Sequence, residues 1–281
     1  MKKTNSFQKL FSLYFAATVV LWVVLSLRHS TSGNPNYWYS FLFGLTPLFA
    51  GLIGMAKSGI WGRFRSTLGK AIFFISLGLA LWGFGETIWS YYNFFKNVPA
   101  PYPSIADIGF APSIFFWVLG AGYLSRATGA MLLLKRSRKA KLFSVIAIAA
   151  LAVVSYYLLI KVARGGVLVP AGESALKTVL DIAYPLGDFL AVNFAFLVFI
   201  LSFKYFGGFY RTAIGAILFG LGTMYLGDIV FSYTTTTGSY YNADWGDLVL
   251  NIGLALLSFG ILGFSAKPQL AHAAAVGSRE E

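Results

Sequence analysis

Acidic side chains lie inside the apolar segments of this 281-residue chain. Glu86 stands within one such segment, and Asp107 opens the next segment after a proline-rich turn. The same layout returns at Asp228 and Asp247. A carboxylate in hydrocarbon is costly, so it is retained where it faces a bundle interior, a cavity or a partner. These acids therefore indicate where a polar site could lie.

Helical spacing places polar and aromatic companions beside these acids, because residues three or four positions apart share a helix face. We therefore predict an outward-open cavity of acids and aromatic rings near the ends of the third, fourth, sixth, seventh and eighth apolar segments. Carboxylates combined with aromatic faces suit a small cationic ligand. The predicted ligand-binding residues are Glu86, Trp89, Asp107, Asp181, Tyr184, Asp188, Tyr225, Asp228, Asp247 and Asn251.

Each of these acids also has a purely structural interpretation. Glu86, Asp188 and Asp228 could hydrogen-bond neighbouring helices, as buried polar groups in membrane bundles do. Asp181 could form a local ion pair with Lys177, four positions earlier. Acids at segment starts could cap helices, because a carboxylate there accepts backbone N–H groups. The acids at segment starts are Asp107, Asp244 and Asp247.

Catalytic and metal chemistry have little support in the sequence. The chain has no cysteine, which excludes disulfides, zinc-thiolate sites and cysteine catalysis. Its two histidines, His29 and His272, lie far from the acids in sequence. Gly-x-Ser-x-Gly, His-Glu-x-x-His and P-loop motifs are also missing. We therefore expect no enzyme activity, no catalytic residue, no metal site and no cofactor.

The segments that must position these residues are strongly hydrophobic. The chain is 57% hydrophobic and 11% charged, with a mean hydropathy of +0.70. Apolar runs of about 20 residues are typical of spanning helices, whereas a barrel alternates in segments of about 10 residues. We predict an all-α, polytopic membrane helical bundle with about eight transmembrane helices in four hairpins. The predicted spans are roughly 10–27, 38–58, 70–95, 105–126, 142–162, 176–203, 212–234 and 244–264.

We expect a single integral membrane domain, 1–266, followed by a short cytoplasmic tail, 267–281. The net charge is +12, and most Lys and Arg residues fall in alternate loops. Because basic loops stay in the cytoplasm, we predict a multi-pass cell-membrane protein with both termini cytoplasmic. Membrane lipid explains the remaining positive charge, so we expect lipid and not nucleic acid as a partner.

Acids and glycines recur at equal spacing in two of the predicted hairpins. Asp107 precedes Gly120 by the same interval as Asp247 precedes Gly260. We interpret the four hairpins as a degenerate repeat of a two-helix unit, most weakly marked in the first hairpin, which lacks acids. The pairs have parallel topology, unlike the inverted repeats of many transporters.

Several motifs occur in a distinctive order. The stretch 83–92 begins Gly-Phe-Gly-Glu, and 101–110 reads Pro-Tyr-Pro-Ser-Ile-Ala-Asp-Ile-Gly-Phe. Together with 184–188 and 228–247, they resemble the membrane-embedded amino-terminal region of many bacterial diguanylate cyclase/phosphodiesterase proteins and some histidine kinases. The resemblance implies a sensory input module that passes a signal to a cytoplasmic output domain.

The leading hypothesis is a stand-alone membrane sensory module that binds a small cationic ligand or senses protons. Only a short Ala-rich tail follows Lys267, so we expect the output to reside in a separate signalling protein. One alternative is a cation or proton transporter or channel, in which acids at graded depth form the route. Another is a structural assembly protein whose acids only join helices.

Overall fold

Nine α-helices account for most of the chain in the computed structural model, which describes residues 6–167, 169, 172–202 and 210–264. Within these residues there is no strand, and every helix except α5 is long and apolar enough to cross a membrane. The predicted all-α membrane bundle is therefore confirmed. The predicted tail, 267–281, lies outside the described residues. The helices are α1 (Ser6–Leu27), α2 (Asn34–Ser58), α3 (Thr67–Lys96), α4 (Asp107–Ala127), α5 (Ala130–Arg136), α6 (Arg138–Tyr156), α7 (Ala175–Ser202), α8 (Arg211–Thr237) and α9 (Trp245–Leu262), with 3₁₀ turns at Gly59–Trp61 and Arg63–Arg65 and a π-helical extension of α6 at Tyr157–Ala163.

The short helix α5 occupies a stretch that the sequence predicted to be a loop. It begins after Gly129, whose φ of 78° is a left-handed conformation that favours glycine. Its first residue, Ala130, is buried, and α5 contacts α7. Its seven residues would extend about 10 Å, far too short for a span.

The long helices α3 and α8 end at comparable points. A left-handed residue follows each of them, Asn97 with φ 54° after α3 and Gly238 with φ 70° after α8. A turn, 97–106 or 238–244, then leads into α4 or α9. We call the side of the bundle that carries these two turns the turn end.

Glycines at matching positions allow α4 to approach α3 and α9 to approach α8. A Cβ atom at Gly120 would lie 2.5 Å from the Ile75 side chain, and one at Gly260 would lie 2.6 Å from Ile217. Ile217 follows Ile75 by 142 positions, and Gly260 follows Gly120 by 140. The equal spacing seen in the sequence therefore corresponds to the same packing contact in both hairpins.

A second set of contacts obeys the same offsets. A Cβ at Gly85 would lie 2.8 Å from the Phe110 ring, and one at Gly227 would lie 2.6 Å from Leu250. Gly227 and Leu250 follow Gly85 and Phe110 by 142 and 140 positions. The hairpins α3–α4 and α8–α9 are therefore repeats of one packing unit.

The neighbours of the two hairpins extend the repeat. Helix α2 packs on α3 and contacts α9, while α7 packs on α8 and contacts α4. If the two hairpins are exchanged, α2 and α7 exchange places as well. This pattern of contacts corresponds to an approximate two-fold axis along the bundle, as in parallel repeats. The repeating unit is larger than the two-helix unit predicted from the sequence.

An apolar layer fills the half of the bundle away from the turn end. Its residues are almost completely shielded, with exposed fractions of 0–1%. They come from α3, α4, α8 and α9, so the layer closes the space between the two hairpins. Members of this layer are Ile72, Ile75, Leu79, Trp117, Ile217, Leu221, Met224, Leu254, Leu257 and Ile261.

Candidate functional site

A cavity lies at the turn end, between the hairpins α3–α4 and α8–α9. It contains about 500 Å³ of space that no atom occupies, part of which is open to the outside. Its lining has four carboxyl groups, eight aromatic rings and two aliphatic side chains, and no described basic residue. The lining residues are Phe43, Trp82, Glu86, Trp89, Tyr102, Asp107, Phe110, Ile114, Tyr184, Asp228, Phe231, Tyr240, Asp247 and Leu250.

The cavity brings together six of the ten predicted ligand-binding residues. These six are Glu86, Trp89, Asp107, Tyr184, Asp228 and Asp247. The other four lie outside the lining, and each has a different environment. They are Asp181, Asp188, Tyr225 and Asn251.

Asp181 belongs to a buried ion-pair network beside the cavity. Its carboxylate accepts hydrogen bonds from Arg164 Nη1 at 2.9 Å, Lys177 Nζ at 2.8 Å and the Tyr102 hydroxyl at 2.6 Å. Arg164 and Lys177 also bond Glu173 in the preceding turn. The predicted pair between Asp181 and Lys177 is therefore present, and Tyr102 links this network to the cavity wall.

Tyr225 and Asn251 join helices below the cavity. The Tyr225 hydroxyl lies 2.5 Å from the Ser155 hydroxyl on α6. The Asn251 amide donates to the Thr18 hydroxyl at 3.0 Å and to the Tyr39 hydroxyl at 3.2 Å. Both side chains thus have structural partners.

Asp188 lies directly behind Asp228. It is fully buried, and neither carboxyl oxygen accepts a hydrogen bond from a donor group in the described residues. The Asp228 carboxyl is within hydrogen-bonding reach, and Asp228 itself lines the cavity. Two adjoining carboxylates repel each other, so a proton between Asp188 and Asp228 would stabilise their close approach.

Glu86 is the most isolated acid of the site. It is 5% exposed and lines the cavity from the middle of α3. No residue in the described ranges hydrogen-bonds to its carboxylate, and another acid, Asp247, lines the same cavity. A buried carboxylate without a donor is unfavourable, so Glu86 is stabilised either by a bound proton or by a cationic partner in the cavity.

Asp107 and Asp247 are supported by the protein in matching ways. Asp107 accepts the Ser104 backbone N–H at 2.7 Å and the Tyr184 hydroxyl. Asp247 accepts the Ala243 backbone N–H at 2.7 Å and the Tyr240 hydroxyl at 3.3 Å. Both acids therefore have a structural role at the start of their helix in addition to their place in the lining.

Tyr240 is held in its neutral form. Burial, followed by the nearby Asp247 carboxyl, raises the pKa of Tyr240 well above its usual value. The hydroxyl therefore keeps its proton and remains a hydrogen-bond donor. Burial and Asp181 raise the pKa of Tyr102 in the same way.

Aromatic rings from both repeats form one continuous wall. Phe231 lies 5.2 Å from the Tyr240 ring and 5.2 Å from the Tyr102 ring, both edge-on. Trp89 and Phe231, which are 142 positions apart, meet with their ring centres 6.3 Å apart. Equivalent residues of the two repeats thus touch, so the cavity lies on the approximate two-fold axis.

Asn242 organises the rim and was not among the predicted residues. Its side chain accepts hydrogen bonds from Trp89 Nε1 and the Ser40 hydroxyl, both at 2.9 Å, and donates to the Pro99 carbonyl at 2.7 Å. It therefore ties α2, α3 and both turns together. A polar residue in a turn gives no sequence signal for such a role, because its partners lie more than 140 positions away.

Eight further lining residues were also missing from the predicted set. The sequence did indicate Trp82 and Phe231, because each lies one helical turn from a lining acid, Glu86 or Asp228, and so shares a helix face with it. The others come from neighbouring helices and turns and could be placed only by the fold. They are Phe43, Tyr102, Phe110, Ile114, Tyr240 and Leu250.

The lining acids do not form a metal centre. Across the described ranges, no group of three or more His, Cys, Asp or Glu residues is arranged to hold a metal ion.

No family model, curated protein or solved structure matches this chain. The chemistry of the cavity therefore carries the functional argument.

Proposed function

We propose that this protein is a membrane sensory module that binds a small organic cation in the cavity at the turn end. The carboxylate of Glu86 carries the proposal, because it is buried, faces the cavity and has no partner among the described residues. A bound cation supplies both the missing hydrogen-bond donor and the missing positive charge.

The aromatic lining favours an organic cation over a hydrated metal ion. Eight of the fourteen lining side chains are aromatic. Ring faces attract ammonium groups by about 0.5–2 kcal/mol each, and most strongly where water is excluded. Carboxylates fix the charged nitrogen while the rings surround the carbon atoms attached to it.

The turn end faces the outside of the cell in this proposal. Basic residues concentrate in the loops and the short helix at the opposite end of the bundle, which the positive-inside rule assigns to the cytoplasm. The ligand therefore enters from the outside. The basic residues at the opposite end include Lys57, Arg63, Arg65, Lys70, Lys135 and Arg136.

The apolar layer below the cavity favours binding over transport. The layer lies between the cavity and the cytoplasmic end, and all of its side chains, from four helices, are non-ionisable. Ligand binding would instead shift α8 and α9 relative to α3 and α4, in proportion to its difference in affinity for the two arrangements. The resemblance to sensory input regions supports a cytoplasmic signalling output as the recipient of this shift.

The test measures binding of organic cations to the full-length protein in detergent by quenching of tryptophan fluorescence. Tetramethylammonium, butylamine and benzylamine are the probes, since Trp82 and Trp89 line the cavity. We expect Glu86→Gln to weaken binding at least tenfold, because the charge of its side chain is lost while its size is retained. Glu173→Gln, which removes a carboxylate outside the cavity, is the control and should bind as the native chain does.

Two results would refute the proposal. One is that none of these cations binds to the native protein. The other is that Glu86→Gln changes thermal stability while cation binding stays the same, which is the behaviour of an acid that only joins helices.

A further inference from the structure

We infer that the cation bound in this cavity carries two positive charges, as in a linear diamine with an ammonium group at each end. The inference rests on the proposed cation-binding function and names the ligand class. It follows from the approximate two-fold symmetry of the cavity, which places one unsupported acid in each repeat.

Glu86 and Asp228 occupy equivalent positions. Asp228 follows Glu86 by 142 positions, the same offset that relates the packing glycines of α3 and α8. Both carboxyl groups line the cavity. In the described part of the chain, neither accepts a hydrogen bond from a backbone N–H, a hydroxyl or a basic side chain.

The other two lining acids differ from this pair. Asp107 and Asp247 are also equivalent, 140 positions apart, but each accepts one backbone N–H and one tyrosine hydroxyl. Their charge is therefore stabilised by the protein itself. The cavity combines two supported acids with two acids that lack support.

The cavity has two unsupported acidic positions. Glu86 is one, and Asp228, with the buried Asp188 behind it, is the other. Two adjoining carboxyl groups favour a shared proton, which leaves one negative charge at that position. The tyrosine hydroxyls near this pair are engaged elsewhere, since Tyr184 bonds Asp107 and Tyr225 bonds Ser155. A ligand with two ammonium groups would balance both charges.

Aromatic rings from both repeats line the cavity that holds the two acids. Trp89 and Phe231 meet near the axis, and Phe110 and Tyr240 complete the wall beside them. A chain of methylene groups suits such a wall, whereas a polar linker would lose hydrogen bonds to water there. The geometry therefore points to a diamine whose ends face opposite repeats.

The experiment compares linear diamines of three to eight carbons with monoamines of equal length, by titration calorimetry of the full-length protein in detergent. We expect the best diamine to bind at least tenfold more tightly than its monoamine. Asp228→Asn should reduce the diamine to the affinity of the monoamine. Glu173→Gln, which removes a carboxylate outside the cavity, is the control and should preserve the diamine preference.

The outcomes separate the two proposals. Equal affinity for diamines and monoamines would overturn the dication and leave cation binding intact. A diamine advantage that survives Asp228→Asn would overturn it as well. If Asp228→Asn fails to fold, Glu86→Gln gives the same test from the opposite repeat, since it should also abolish the advantage. Failure of every amine to bind would refute both proposals.

Discussion

Gly44 on α2 lies directly against Glu86 on α3. A Cβ atom at Gly44 would stand 2.3 Å from Glu86 Cγ and 2.7 Å from Glu86 Cβ, closer than packed carbon atoms come. The missing side chain at Gly44 therefore creates the space in which the Glu86 side chain lies. The position of the proposed anchor depends on its neighbour as much as on α3.

Gly44→Ala is expected to displace the Glu86 carboxylate and weaken amine binding at least tenfold. Overpacking of this kind also destabilises a bundle, by about 1–3 kcal/mol. Tryptophan fluorescence with butylamine measures the binding, and thermal unfolding in detergent measures the stability.

Gly222→Ala on α8 is the matched control. Beyond its own stretch of helix, no atom lies within 4 Å of the position that its Cβ would occupy, so binding should not change, and better helix propensity should raise stability slightly. A Gly44→Ala protein that binds butylamine as tightly as this control would show that the placement of Glu86 is unimportant.

Gly109→Ala is expected to destabilise the protein by about 2 kcal/mol, because α4 would have to move away from α3. The new Cβ would lie 2.6 Å from the Gly85 backbone nitrogen and 2.6 Å from the Leu81 carbonyl oxygen, and backbone atoms cannot rotate aside. Gly122→Ala, on the same helix, meets only the Phe194 ring at 3.8 Å and serves as the control. Equal unfolding temperatures for the two variants would be inconsistent with this packing.

Arg164→Met should cost on the order of 3 kcal/mol, since it leaves two buried carboxylates with Lys177 as their only cationic partner among the described residues. Arg164 is 4% exposed and bonds both Glu173 and Asp181. Arg138→Met removes an exposed arginine at the start of α6 and should leave the unfolding temperature almost unchanged. Similar losses in both variants would mean that the ion-pair network adds no stability.

Glu173 should make stability depend on pH in the acidic range. Burial alone would raise its pKa, but hydrogen bonds from Lys177, Thr178 and Arg164 outweigh burial and lower the pKa to about 2. A depressed pKa gives stability that is fully present above the unfolded value of about 4.3 and is lost as pH falls towards the folded value.

The comparison with Glu173→Gln isolates this contribution. The native chain should be more stable than the variant at pH 6, and the difference should shrink steadily between about pH 4.3 and pH 2. Thermal unfolding in detergent at several pH values measures it. A difference that stays constant over this range would show that Glu173 has the same pKa in both states.

The spans could be predicted because each is a long apolar run, and the fold adds only a residue or a few at most ends. Helix α5 could not be predicted from the sequence, because seven residues show too little periodicity and its position depends on contact with α7. The repeat was visible in the spacing of Asp107 and Asp247 from their glycines. The extension of the repeat to α2 and α7 could not be predicted from the sequence. These two helices make equivalent contacts with the hairpins but have no sequence motif in common.

The site was predicted where one helix carries the information. Spacing along α3 grouped Glu86 with Trp89, and both line the cavity. Spacing along α7 also grouped Asp181 with Tyr184, but Arg164 from the preceding turn holds Asp181 outside the lining. A side chain with two competing neighbours is assigned by the geometry between elements, which a single sequence does not contain.

The two halves of the cavity are not identical. Where α2 places Gly44 against Glu86, α7 places Asp188 against Asp228, so two adjoining carboxyl groups stand opposite a single one. The two ends of the cavity therefore present different acidic groups to a ligand. A molecule with two unlike ends, such as a diamine methylated at one nitrogen, should settle in a single direction, and its mirror placement should be the weaker one.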